Sequence, residues 1–108
     1  MVRATLAAIA LAAAAGCSTM VQVGANFDLA AFESRVQYGV TTRDQVRAWL
    51  GAPKSTGIAV ETNGDRFEEW TYYYGQGDLG NMAHTEFKTL QVKFDRGGVV
   101  RGYSWSGR

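Results

Sequence analysis

One cysteine in 108 residues denies this chain an intrachain disulfide, and that cysteine, Cys17, follows a run from Ala4 to Ala15 without a single charge. Met1, Val2 and Arg3 place one positive charge ahead of an apolar stretch that is too short for a transmembrane span and has the length of an export signal's hydrophobic region. Removing the first 16 of the 108 residues leaves 92, enough for one small domain and not for two. With no disulfide to staple it, that domain must be held by its apolar core. Loss of Arg3 also takes the eleven Lys and Arg to ten, against ten Asp and Glu. A balanced chain without a run of like charge carries no basic footprint, so no nucleic-acid partner is expected.

The stretch Leu11-Ala-Ala-Ala-Ala-Gly-Cys17 resembles a bacterial lipoprotein signal. The resemblance implies diacylation of the Cys17 thiol, with palmitate-type chains, cleavage between Gly16 and Cys17, and acylation of the new amine. Ser18, where an Asp would imply retention at the inner membrane, implies the cell outer membrane, with the chain lipid-anchored to the inner leaflet on the periplasmic side. Physical chemistry points the same way. A free thiol is unusual in an oxidising compartment, and acylation removes it. A single fatty chain holds only reversibly, whereas two or more anchor stably. The competing readings are an ordinary secretory signal with a stray cysteine, or a short buried Ala-rich helix. The expected organisation is a signal peptide over 1–16, an acylated cysteine and flexible tether over 17–27, and one domain over 28–108.

Ser18 to Phe27 shows no periodicity and is expected to be mobile. Asp28 can cap a first helix over Leu29 to about Gln37, where Leu29, Phe32 and Val36 share a face, and Gly39 is expected to end it in the left-handed conformation. Thr42 with Gln45 forms a capping box for a second helix, whose apolar stripe is Val46, Trp49 and Leu50. Gly51 and Pro53 stop it. Lys54 to Asp65 reads as a loop or weak edge strand with a turn at Asn63-Gly64-Asp65. Phe67 to Tyr74 alternates as a strand, with Trp70, Tyr72 and Tyr74 on one face and Glu69, Thr71 and Tyr73 on the other. Gly75 to Thr85, with three glycines, is expected to interrupt it. Glu86 to Phe94 alternates again, and a tight turn at Asp95-Arg96-Gly97-Gly98 leads into a last strand over Val99 to Ser106. The predicted fold is α+β: two short N-terminal helices packed on a three-stranded antiparallel sheet, α-α-β-β-β in two layers.

Several short motifs recur in order. They are Phe32 to Val36, Gly39-Val-Thr-Thr-Arg-Asp-Gln-Val46, Leu50-Gly-Ala-Pro53, Glu69-Trp-Thr-Tyr72, Leu90-Gln-Val-Lys-Phe-Asp95 and Gly98-Val-Val100. In this order, behind such a signal, they resemble the SmpA/OmlA (BamE-like) family of outer-membrane lipoproteins over residues 32 to 100. The resemblance implies a non-catalytic accessory subunit of the β-barrel outer-membrane protein assembly machinery, binding barrel-assembly or other envelope proteins and, in some members, anionic phospholipid. The glycine-rich connection from Gly75 to Thr85 and the aromatic end Tyr103-Ser104-Trp105 depart from the family pattern. The other functional readings are a periplasmic inhibitor or envelope-stress lipoprotein on the same scaffold, and an anionic-lipid or cell-wall binding module with Arg96 and Arg101 supplying the charge.

Enzymatic chemistry finds little to build on. His84 is the only histidine, Cys17 is assigned to lipid, no spacing suits a metal, and Gly75 to Gly80 lacks the lysine and strand-to-helix setting of a phosphate loop. No cofactor is expected. The aromatics are the stronger signal, because Trp70, Tyr72, Tyr73, Tyr74, Phe87, Phe94, Tyr103 and Trp105 exceed what one face of three strands can hide. Gly39, Thr42, Gln45, Val46, Trp49, Leu50, Gly51, Pro53, Trp70, Tyr72 and Phe94 are read as structural. Tyr73, Phe87, Tyr103 and Trp105 are the candidate protein-binding residues, on the sheet face away from the helices. The bland alternative makes all of them core, covered by a long loop over 75–85.

Overall fold

The computed structural model describes residues 20–107, without the side chains of 81–84. In chain order the elements are β1 (Met20–Gly24), α1 (Leu29–Arg35), α2 (Arg43–Leu50), β2 (Ser55–Val60), β3 (Arg66–Asp78), β4 (Asn81–Phe94) and β5 (Val100–Ser106). The sheet therefore has five strands, not three, and every pairing in it is antiparallel. Its order is β1-β3-β4-β5, with β2 on the same edge of β3 as β1. The two share that edge because β3 is 13 residues long: β2 pairs with Arg66 to Thr71, and β1 with Tyr74 to Asp78.

Three expectations are corrected here. The segment read as a tether is a strand from Met20, and Phe27 behind it is buried in the core. Val21 and Val23 alternate with Gln22, which is a strand pattern too short to stand out until a partner edge is available. Gly75 to Thr85 does not interrupt the sheet or fold back over it. β3 and β4 run through the glycines, which need no side chain to keep backbone pairing, and the turn is confined to Leu79 and Gly80. Finally, α1 ends at Arg35 because Val36 is extended (ψ 137°). Gly39 is left-handed (φ +76°), but it belongs to the following turn, where its N–H donates to the Val100 carbonyl at 2.7 Å.

The helix signals held where they were local. Asp28 accepts from the Ala31 N–H, and the Thr42–Gln45 capping box closes in both directions. Gly51 caps α2 at φ +87°. The edge strand β2 and its Asn63-Gly64-Asp65 turn also form as expected, with Gly64 at φ +91°.

Both helices lie on the face built by Trp70, Tyr72 and Tyr74 of β3 and Leu90, Val92 and Phe94 of β4, joined by Phe27, Leu29, Phe32, Val46 and Val100. Phe32, Val46, Leu90, Val92, Phe94 and Val100 are fully buried. Trp49 and Leu50 are only partly buried against this core. Polar ties fix the layers. Tyr72 Oη donates to the Gly51 carbonyl at 2.8 Å, so the strand holds the end of α2, and burial pushes the Tyr72 pKa up to about 12. The segment before α2 is stitched to the β4–β5 turn by Arg43 N–H to the Gly98 carbonyl and Val100 N–H to the Thr41 carbonyl. Lys88 Nζ donates to the Phe27 carbonyl at 2.6 Å while lying over the Phe27 ring.

Candidate functional site: two aromatic surfaces

The four residues expected to form one binding face are divided between two. Tyr73 pairs with Thr89, and Phe87 with Gly75, on the side away from the helices. Tyr103 pairs with Val92, and Trp105 with Leu90, so both stand on the helix side. The cause is a β-bulge: Lys93 pairs with Gly102 but Phe94 pairs with Val100, leaving Arg101 as an extra residue in β5. An extra residue reverses the alternation beyond it. Val100 and Tyr103, of opposite parity in sequence, thereby reach the same core face.

On the helix side, Tyr103 meets the buried Phe32 ring edge-on at 5.1 Å and is covered in turn by Tyr38 at 5.7 Å. Tyr38 is 63% exposed and Trp105 42%, so an aromatic surface begins in the core and ends in solvent. Burial first, then the neighbouring Tyr38 hydroxyl and the Glu33 carboxylate, push the Tyr103 pKa up. Beside it Trp49 packs edge-on to Phe32 under the Arg35 guanidinium. Tyr38 went unnoticed in the sequence because it lies in a turn, where no periodicity marks a face.

The second surface lies at the other end of the sheet and on the opposite face. Val23, Gly75 and Phe87 form one row across β1, β3 and β4, and Val21, Gly77 and Thr85 lie in the neighbouring one. A Cβ placed on Gly75 would lie 2.8 Å from the Phe87 ring and 3.0 Å from Val23, so the two side chains close over a glycine floor. The result is a trough of about 200 Å³ whose lining includes Val21, Val23, Gly75, Gly77, Leu79 and Phe87. Tyr73 continues this face toward the middle of the sheet, where its neighbours turn polar: Glu69, Thr71, Thr89, Gln91 and Lys93.

No family model, curated protein or solved structure matches the chain.

The candidate basic contact sits at the end of the sheet that carries the β4–β5 turn. Arg101 is committed to Asp95, its Nε 2.7 Å from Oδ2, and this bond holds the Asp95 carboxyl below the usual range. Arg96 lies near Arg66, with Asp65 and Asp95 in the same depression. Arg43 pairs with Glu68 close by and, as the largest cause, holds the Glu68 carboxyl low. The buried Trp70 Nε1 makes no hydrogen bond of good geometry, yet its N–H also bears on Glu68 and lowers it further. Three acids, Asp65, Glu68 and Asp95, stand among the four arginines Arg43, Arg66, Arg96 and Arg101, and two of the arginines are tied up in ion pairs, so little positive charge is left over for an anion. Cys17 lies outside the described residues, as does the side chain of His84.

Proposed function

We propose that this chain is a SmpA/OmlA-like lipoprotein, anchored through Cys17 to the inner leaflet of the outer membrane, and that it serves as a non-catalytic docking subunit for barrel-assembly proteins. The anchoring part rests on residues 1–17, where an uncharged run ends in small residues and a solitary cysteine. The docking part is carried by one observation: Tyr103, set edge-on against the buried Phe32 and covered by Tyr38, presents an aromatic surface anchored in the core, with Trp105 farther along β5. Aromatic side chains already ordered by packing lose little entropy on binding, which is why such residues dominate interface energetics. The contact surface is thus the helix-side group of Tyr38, Tyr103 and Trp105, and not the four-residue face first expected.

Photo-crosslinking in intact cells tests this reading, with the reactive residue at position 38 or 105 and position 73 as the opposite-face control. Capture of barrel-assembly subunits from 38 and 105 but not from 73, identified by mass spectrometry, is the expected result. Capture of a soluble periplasmic enzyme instead would replace it with the inhibitor reading.

A further inference from the structure

Beyond the helices the sheet continues as a tongue of three strands, β1 with the far halves of β3 and β4, closed by the turn at Leu79 and Gly80. Val21, Val23, Leu79 and Phe87 are each 44–68% exposed, and all four line one trough on this tongue. Exposed apolar side chains gathered in one place, around a trough floored by Gly75 and Gly77, mark a contact surface rather than scattered surface residues. At about 200 Å³ the trough is smaller than the usual range for small-molecule sites.

The chain outside the described residues identifies the occupant. Met20 pairs with Asp78, so the N-terminal portion enters the fold at the tip of the tongue, next to Leu79. Cys17 is three residues before Met20, and three residues span at most about 11 Å. Resting on the anchoring reading above, we propose that the tongue docks on the bilayer itself, with Leu79 entering the interface and Val21, Val23 and Phe87 laid against lipid. Charge plays little part in this contact. The tongue carries Asp78 and Glu86, and the nearest described cation, Lys88, is held by the Phe27 carbonyl. The same geometry orients the domain. β4 has 14 residues, so at about 3.4 Å per residue the turn bearing Arg96 stands about 44 Å from the tongue's tip. Arg96 and Arg101 therefore lie at the end of the sheet remote from the point where the anchored chain enters it.

The test uses the full mature protein, purified from membranes and placed in vesicles of phosphatidylethanolamine and phosphatidylglycerol containing doxyl-labelled phosphatidylcholine. Acylation blocks Cys17, so a cysteine introduced by Gly80→Cys, or by Arg96→Cys as the far-end control, is the single site for an environment-sensitive fluorophore. A label at 80 is expected to shift blue and to be quenched several-fold more than one at 96, with no loss of quenching in raised salt. Adding Leu79→Asp and Phe87→Asp is expected to bring quenching at 80 down to the level at 96, while the melting temperature of these exposed-site variants shows that the fold persists. An acylated protein whose label at 80 stays as water-exposed as that at 96 overturns the docking and leaves the anchor standing. An intact mass without acyl chains on Cys17 overturns the anchoring reading, and the docking with it.

Discussion

The two ends of the sheet are built from the same β3–β4 hairpin and yet are stabilised differently. At the base, Trp70, Tyr72, Leu90, Val92 and Phe94 are buried under two helices, and hydrogen bonds such as Tyr72 to Gly51 bind the layers together. In the tongue the apolar side chains beside Gly75 and Gly77 remain exposed, and backbone pairing with β1 does most of the holding among the described residues. Burial of apolar surface supplies the larger share of folding free energy, so the base should set global stability and the tongue should open on its own at lower cost. The contrast shows how one hairpin can be scaffold at one end and contact surface at the other.

The sharpest test of this contrast is a pair of phenylalanines. Phe94→Ala, at a fully buried site, is expected to lose about 3–5 kcal/mol in urea denaturation, and Phe87→Ala, in the tongue, less than about 0.5 kcal/mol. Similar losses at the two sites would end the distinction. Gly24→Ala comes next. Gly24 has φ +72°, and its added Cβ would lie 2.1 Å from the Tyr73 carbonyl oxygen, so β1 must detach at a strain of about 3 kcal/mol. Hydrogen exchange should show Val21, Val23, Gly75 and Gly77 amides losing protection while Leu90 and Val92 keep theirs. Loss of protection across the whole sheet would instead make tongue and base one cooperative unit.

Smaller effects grade the base itself. Trp49 is only partly buried, so Trp49→Ala is expected to cost about 2 kcal/mol, below the range for a fully enclosed aromatic. Thr42→Ala, which removes the α2 cap, should cost about 1 kcal/mol. A reversed order in urea would place the helix cap above its packing. The smallest effect is electrostatic. Because Arg43 holds the Glu68 carboxyl below its ordinary 4.5, this pair stabilises the fold above that pH and ceases to do so as the pH falls through the lowered value. For a pair this exposed the gain stays below about 1 kcal/mol. The stability difference between the wild type and Glu68→Gln should therefore vanish in acid.

What depended on neighbouring residues in sequence was legible from the start. The Thr42–Gln45 box, the Gly51 stop, the Asn63-Gly64-Asp65 turn and the alternation of Trp70, Tyr72 and Tyr74 all formed as read, since each is satisfied by atoms a few residues apart or by a period of two within one strand. Other features needed a partner that no local pattern announces. β1 is a strand because β3 offers a free edge at Tyr74 to Asp78, and Gly75 to Asp78 stays in the sheet because β1 and β4 pair on both sides of it. The candidate site depended on this most strongly. Tyr103 and Trp105 are expected from sequence on the face away from the helices, yet a single unpaired residue at Arg101 turns both to the helix side, with Tyr103 against Phe32. Sequence thus determined the local elements and the inward residues of β3 and β4, through hydrogen bonds and periodicity that reach only a few positions. Only the tertiary structure decided which aromatics share a surface, because a bulge is fixed by the match between two strands and not by either one alone.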